Sequence, residues 1–287
     1  MAVRVDSHQH FWQYTPAEYP WISEGMPELR RDRLPADLEP HLAAARMDMC
    51  IAVQARPSLA ETHWLLELSR KHSFIGGVIG WFDLCSPGLE ADLDALPWPN
   101  RLVGVRAMLQ DEHDDDHMLR EEFRRGLKAI GESGFTYDLL VFPRHLPYAL
   151  RLVRQFPSVR FVIDHLAKPP IASGELEPWA RLMRELGHEP NVACKLSGIV
   201  TEAAPDWKQA DLTPYQHIPS KIPFDEMNPP ARALQGRQRW AAEQSAAMNW
   251  HDVDDIPADT LNRILWGDAK GWDHPYPQLQ AGLKPKR

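Results

Sequence analysis

The sequence predicts an α/β fold in which eight parallel strands alternate with helices and close into a (β/α)8 TIM barrel. Eight short apolar runs are bounded by loop signals, and several are almost continuously hydrophobic, as expected for parallel strands covered on both faces. Segments with helical periodicity separate most of them. The 287 residues also suit a barrel of about 250 residues. A doubly wound open sheet is the alternative, but no GxGxxG motif follows a strand.

Each apolar run is interpreted as one strand, and each periodic segment as one helix. The predicted strands are Val3–Asp6, Met49–Ala55, Ile75–Phe82, Leu102–Met108, Thr136–Phe142, Arg160–Asp164, Val192–Leu196 and, more weakly, Arg263–Trp266. The predicted helices are Pro35–Met47, Leu59–His72, Met118–Ser133, Leu146–Gln155 and Glu175–Gly187. A further helix over Ala231–Met248 follows from its Ala, Arg, Gln and Glu content.

The regular alternation of strands and helices degrades after about Ile218. The seventh and eighth predicted strands are far apart, and the segment between them contains the proline-rich run PSKIPFDEMNPP. After the eighth strand, Gly271, Pro275 and Pro277 interrupt any closing helix. We therefore expect a single barrel domain over residues 1–287 whose C-terminal part, residues 219–287, is atypical or incomplete.

Charge and composition favour small-molecule chemistry. The formal net charge is −8 and no basic cluster occurs, which argues against nucleic acid or an anionic membrane as the main partner. No apolar run has the ~18 residues of a membrane span, and the first residues lack a signal-peptide pattern. Three cysteines without metal-type or CxxC spacing are typical of buried thiols in a reducing compartment. We expect a cytoplasmic protein, with a homo-oligomer left open.

The strongest local motif is DSHQH at the end of the first predicted strand. Alternate residues of a strand point to the same face, so His8 and His10 can converge inside a barrel mouth. Two imidazoles placed in this way can hold a divalent metal or polarise a substrate oxygen. The alternative is a pair of partly exposed loop histidines.

Two further candidates for catalysis follow later strands, where barrel enzymes carry their catalytic groups. His165 comes directly after the run RFVI, although it could also be a buried core histidine. Asp268 follows the eighth predicted strand and could serve as the general base that activates water. An aspartate in an ordinary polar turn is the alternative for Asp268.

Polar residues at three other strands are candidates for substrate binding. Lys195 ends the apolar run VAC and could bind a carboxylate or carbonyl, form a Schiff base, or extend to solvent. Arg106 could bind a substrate oxygen or pair with a neighbouring carboxylate. Tyr137 and Asp138 on the fifth strand could form hydrogen bonds to a ligand or have a structural role.

An ordered series of motifs extends from about residue 1 to about residue 217. The motifs are DSHQHFW, YPWI, RRDRLPADL, IAVQA, VIGWFDL, GVRAMLQDE, YDLLVF, DHLAKP and CKLSGIVTEA. Together they resemble the sugar-lactone lactonases of the amidohydrolase superfamily, especially the L-fuconolactonase and L-rhamnonolactonase branch. The strand-eight motif of that family departs here, since Arg263–Trp266 is followed by Gly-Asp-Ala-Lys rather than Gly-Ser-Asp-Trp-Pro.

The resemblance implies an enzyme that opens a sugar-derived lactone with water to give the aldonic acid. By the same resemblance, the site would be lined by His8, His10, His165 and Asp268, with Arg106, Tyr137 and Lys195 binding the substrate. Classical members use one or two divalent metals, whereas relatives in this branch can work without one. The expected cofactor is therefore none, or a single zinc ion held by His8 and His10.

Ester chemistry is compatible with these residues. Lactone hydrolysis needs a positioned water, a base such as Asp268, and hydrogen-bonding or positive groups for the oxyanion. Two alternatives remain open at this point. One is a metal-dependent decarboxylase or amide hydrolase on the same scaffold, since a fold does not fix a reaction. The other is an inactive barrel that retains only sugar-acid binding.

Overall fold

The computed structural model describes residues 5–195 and 197–216. Within these residues, seven parallel strands form one sheet in the order β1-β2-β3-β4-β5-β6-β7. The strands are Val5–Gln9 (β1), Met49–Val53 (β2), Ile75–Gly80 (β3), Leu102–Ala107 (β4), Thr136–Leu139 (β5), Arg160–Ile163 (β6) and Val192–Cys194 (β7). The helices are Pro35–Ala44 (α1), Leu59–Lys71 (α2), Leu89–Asp94 (α3), Glu121–Glu132 (α4), Leu146–Gln155 (α5), Trp179–Gly187 (α6) and Gln209–Gln216 (α7).

The strand order decides between the two α/β architectures. A doubly wound sheet reverses its strand order at a switch point. Here each strand pairs in parallel with the next strand along the chain, from β1 through β7. This sequential order is that of a barrel wall. The first seven predicted strands are confirmed, whereas Arg263–Trp266 and Ala231–Met248 lie outside the described residues.

Several predicted strands extend beyond the observed ladder. The strand predicted over Thr136–Phe142 ends at Leu139, yet Leu140 and Val141 beyond it remain buried. Hydrophobicity reports burial, and buried residues after a strand need not pair with a neighbour. The first strand departs in the other direction, because β1 continues to Gln9 and includes His8.

The five helices predicted within the described residues are confirmed, and two of them begin later than predicted. The helix predicted from Glu175 begins at Trp179, directly after Pro178, which has no backbone N–H group to donate within a helix. The helix predicted from Met118 begins at Glu121 because residues 117–119 form a separate 3-10 turn. Two short helices, α3 and α7, were not predicted from the sequence.

The hydrophobic core lies between the sheet and the surrounding helices. In α4, Phe123, Leu127 and Ile130 are buried at helical spacing, and the Phe123 ring meets the Tyr137 ring of β5 edge-on at 5.8 Å between centroids. No helix of the described residues is long and apolar enough to cross a membrane.

The closest helix contact is made at Gly126 of α4. A Cβ atom at Gly126 would lie 2.8 Å from Leu84 Cα and overlap the Leu84 carbonyl group. We expect Gly126→Ala to lower the free energy of unfolding by about 1–3 kcal/mol, the usual cost of overpacking. Urea denaturation measures this loss. Lys128→Ala on the exposed face of α4 is the control, and an equal effect of both substitutions would contradict the contact.

Candidate active site

Polar side chains from several strands meet at the carboxyl end of the sheet, inside an otherwise apolar core. They are His8 in β1, His10 just after it, Arg106 in β4, Asp138 in β5, Asp164 and His165 after β6, and Lys195 after β7. Of these, all but His10 are buried. Parallel strands bring their carboxyl ends to the same edge, which is why residues so distant in sequence form one site.

His8 and His10 form a hydrogen-bonded relay. His10 Nδ1 lies 2.9 Å from the Val53 carbonyl oxygen, so this nitrogen carries the hydrogen. His10 Nε2 must then accept, and the His8 Nε2–H group donates to it over 3.0 Å. The remaining nitrogen of His8, Nδ1, lies 3.3 Å from Lys195 Nζ and accepts from that ammonium. These partners fix one tautomer for each imidazole.

The three histidines of the site are neutral at neutral pH. Burial lowers the pKa of His10 to about 3, and the positive charge of Arg106 contributes to this shift. Burial likewise lowers the pKa of His165 to about 3. The pKa of His8 is held well below its usual value by burial and by the Lys195 charge. Each ring therefore has one donor and one acceptor nitrogen.

Two cations and two carboxylates form a buried ionic network beneath the histidines. Lys195 Nζ contacts the Asp138 carboxylate and lies 2.9 Å from Asp164 Oδ1. Arg106 binds the second oxygen of Asp164 at 2.8 Å and also donates to the Gln54 carbonyl. Such buried charges are tolerated only when they are paired and hydrogen-bonded.

Burial and the neighbouring cations together determine the pKa values of the buried carboxyl groups. Burial alone would raise the pKa of Asp164, but the charges of Lys195 and Arg106 hold it well below its usual value. The pKa of Asp138 is raised to about 6 by burial, against the opposing effect of Lys195. Burial disfavours the charge on Lys195, yet Asp138 and Asp164 raise its pKa overall. Lys195 is therefore an ammonium ion.

His165 lies on a left-handed turn. The φ angles of residues 165, 166, 167 and 168 are 53°, 54°, 56° and 52°, although none of these residues is glycine. This conformation costs about 1–2 kcal/mol per residue, so the surrounding structure must hold it. Trp179 does so by donating its indole N–H to the Leu166 carbonyl at 2.8 Å. The turn brings His165 Nδ1 to 2.8 Å from Ser197 Oγ.

Tyr137, a predicted substrate contact, does not join the site. Its ring is buried against Phe123 and Phe161, on the side of the sheet that faces α4. Successive residues of a strand point to opposite faces, so the site receives Asp138 instead.

Asp138 was a candidate for hydrogen bonding to a ligand, whereas Asp164, Gln54 and Ser197 were not predicted from the sequence to belong to the site. Gln54 and Asp164 lie at or near the ends of predicted strands, and that position was the available signal. The ionic pairing of Asp138 and Asp164 with Lys195 could not be inferred, because it depends on how far each side chain reaches across neighbouring strands. Predicted Asp268 lies outside the described residues.

Three side chains of the site are close enough together to be considered as ligands of a divalent metal. Among the described residues, ligand atoms of His8, Asp164 and His165 lie within 4.8 Å of one another. However, both His8 nitrogens already have partners, and both Asp164 oxygens are contacted by cations. A metal would have to compete with the Lys195 ammonium. His10, predicted as the second ligand, is not in this group. His8, Asp164 and His165 could therefore hold a metal only if it displaced Lys195 from His8 and Asp164.

Most of the chain matches a known protein family. Residues 5–267 match the family model described as amidohydrolase. The chain belongs to the amidohydrolase family. The match extends beyond the resemblance recognised up to residue 217 and includes the eighth predicted strand, although it ends one residue before Asp268.

Individual amidohydrolases support a more specific comparison. A curated L-fucono-1,5-lactonase from Burkholderia ambifaria is 41% identical over 75% of this chain and 74% of its own. A second L-fucono-1,5-lactonase, from Burkholderia multivorans, is 42% identical over 72% of this chain and 71% of its own. A crystal structure of a Burkholderia multivorans amidohydrolase with bound zinc is 35% identical, with a TM-score of 0.73 over 86% of this chain and 94% of that one.

Proposed function

We propose that this amidohydrolase hydrolyses a sugar-derived 1,5-lactone to the aldonic acid, and that L-fucono-1,5-lactone is the first substrate to test. The observation that carries the proposal is the identity of 41% and 42% to two curated L-fucono-1,5-lactonases. The polar cluster at the carboxyl end of the sheet supports it, because a lactone carbonyl needs hydrogen-bond donors and positive charge where the oxyanion forms.

The site residues divide into two groups by burial. His8, Lys195 and Asp164 are fully buried, so His8 acts by holding its neighbours, and Lys195 and Asp164 act also by their charge. His10 is half-buried, and His165 is 9% exposed, so these two imidazoles can reach a bound lactone. When Ser197 donates to His165 Nδ1, the Nε2–H group of His165 can donate to the developing oxyanion. The charges of Lys195 and Arg106 stabilise the same oxyanion.

Water attacks the lactone carbonyl in this mechanism, and a base takes one of its protons. The described carboxylates are poor bases, because Asp138 and Asp164 are bound to Lys195. Asp6 is buried and receives hydrogen bonds from Gln9 and the His8 backbone. We therefore retain Asp268 as the proposed base. The proton then passes to the ring oxygen as the carbon–oxygen bond breaks, which releases the hydroxy acid.

Turnover is expected to be independent of a bound metal. The Lys195 ammonium already provides a positive charge between His8 and Asp164. Treatment with EDTA should leave the initial rate of lactone hydrolysis unchanged, and added zinc should not increase it. Loss of the rate with EDTA and its recovery with zinc would contradict this expectation. In that case His8→Asn should lose both bound zinc and activity.

The alternatives considered from the sequence gain no support. Neither a metal-dependent decarboxylase or amide hydrolase nor an inactive sugar-acid binder is favoured by the curated lactonase relatives. A cytoplasmic location and a homo-oligomer stay predictions. A panel of aldonolactones, assayed by acid release with a pH indicator, tests the proposed function. Hydrolysis of at least one sugar lactone is expected, and no hydrolysis across the panel would refute the proposal.

A further inference from the structure

A second cluster of side chains lies at the rim of the site, and the proposed mechanism does not use it. It consists of Gln110, Phe142 and Lys168, which we call the rim cluster. These residues come from the loops after β4, β5 and β6. Lys168 is the last residue of the left-handed turn that also carries His165. The same strained backbone therefore positions both side chains.

The ammonium group of Lys168 is fixed from two directions. Lys168 Nζ donates to Gln110 Oε1 at 2.5 Å and lies 4.9 Å from the centroid of the Phe142 ring. This geometry is that of a cation–π contact. A flexible lysine side chain normally loses much conformational freedom when it binds a ligand. Here the ammonium is held before any ligand arrives.

The partners of Lys168 are themselves fixed. The Gln110 backbone N–H donates to the Leu140 carbonyl at 3.1 Å, and its carbonyl accepts from Arg144 at 3.1 Å. The Arg144 guanidinium also lies 4.9 Å from the Phe142 ring centroid. The rim cluster is thus tied to the end of β5 rather than to a free loop.

Lys168 has donor capacity to spare. An ammonium group has three N–H donors, and Gln110 takes one of them. No carboxylate of the described residues forms an ion pair with Lys168, although the group is half-buried. Burial lowers the pKa of Lys168, and the Lys168 charge contributes to the low pKa of His165. The ammonium therefore lies close enough to His165 to influence it.

We propose that Lys168, held by Gln110 and Phe142, binds a ring hydroxyl of the lactone and makes the site selective for polyhydroxylated lactones. This inference rests on the proposed function. A sugar lactone has no carboxylate before it is hydrolysed, so its hydroxyl oxygens are the acceptors that an unpaired ammonium at the rim can bind. A partly buried site built to hydrogen-bond a hydroxyl discriminates strongly against an analogue that lacks it.

Lys168→Met tests the proposal, because methionine keeps the unbranched apolar stem and removes the donors. Two six-membered lactones are compared: L-fucono-1,5-lactone and δ-valerolactone, which has no hydroxyl groups. We expect kcat/KM for the sugar lactone to fall about 10- to 100-fold, as for the loss of a charged hydrogen bond. The value for δ-valerolactone should change little. Gln110→Leu, which leaves Lys168 in place but loosens it, should shift selectivity in the same direction.

A matched control is Lys128→Met on α4, where an exposed lysine pairs with Glu132 at 3.6 Å. Neither lactone should respond to this change. An equal loss with both lactones in Lys168→Met, or no loss with either, would overturn the proposed role of Lys168.

Binding of 1,5-anhydro-L-fucitol, which has the ring hydroxyls but no carbonyl, separates this proposal from the proposed function. Its Kd can be measured by calorimetry even if the wild type hydrolyses no lactone. We expect the Kd to rise about 10- to 100-fold in Lys168→Met. If the wild type binds this compound and Lys168→Met binds it equally well, the rim proposal fails while lactone hydrolysis can still hold.

Discussion

Replacing Lys195 with methionine is expected to abolish lactone hydrolysis and to lower the free energy of unfolding by about 3–5 kcal/mol. The substitution leaves Asp138 and Asp164 buried with one cation fewer, and an uncompensated buried charge is strongly destabilising. It also removes the donor to His8 Nδ1, so the histidine relay loses its fixed tautomer. Urea denaturation measures the stability, and acid release measures the activity.

A second substitution separates charge from packing in this experiment. Asp138→Asn, added to Lys195→Met, removes one of the two carboxylates, while Arg106 still pairs with Asp164. We expect the double variant to regain part of the lost stability but none of the activity. Lys71→Met is the surface control, since that lysine pairs with Glu67 on the exposed face of α2. Wild-type stability in Lys195→Met alone would contradict the buried network.

Asp268→Asn is expected to lower the rate of lactone hydrolysis by about 10²–10⁴-fold and to leave the fold intact. The reason is that the carboxylates described in the site are already bound by Lys195 and Arg106. An amide cannot take the proton from the attacking water. Circular dichroism checks the fold, and single-turnover kinetics check the chemical step.

The outcome of Asp268→Asn also tests the interpretation of residues 219–287. If this atypical segment leaves the site incomplete, the wild type should already be nearly inactive and the substitution silent. If the wild type is fully active and Asp268→Asn is still silent, another group is the base. His165 is then the next candidate, and His165→Gln should produce the loss of rate instead.

Much of the fold could be predicted because buried strands and helices have recognisable hydrophobic patterns in the sequence. Parallel strands covered on both faces give long apolar runs, and the first seven strands were located from them. Polar residues at the ends of such apolar runs were taken as candidates for the site, because a core strand seldom needs a polar side chain there. These candidates were His8, His10, Arg106, His165 and Lys195. The structure brings these five together.

Other features depend on contacts that no local pattern reports. The left-handed turn from His165 to Lys168 contains no glycine that could have signalled it. A hydrogen bond from Trp179, which is distant in sequence, holds the turn instead. The ion pairs of Lys195 with Asp138 and Asp164 depend on side-chain positions that the strand order does not give. Tyr137 faces Phe123 and Phe161 rather than the polar cluster, because a shift of one residue along a strand moves a side chain to the other face of the sheet.

The most direct test is the initial rate of acid release from L-fucono-1,5-lactone, followed with a pH indicator in weak buffer containing EDTA. We predict a rate that rises in proportion to the concentration of wild-type protein, exceeds spontaneous hydrolysis, and is lost in Lys195→Met. A wild-type rate equal to the spontaneous rate, both with EDTA and with added zinc, would contradict hydrolysis of this lactone by the Lys195-based site.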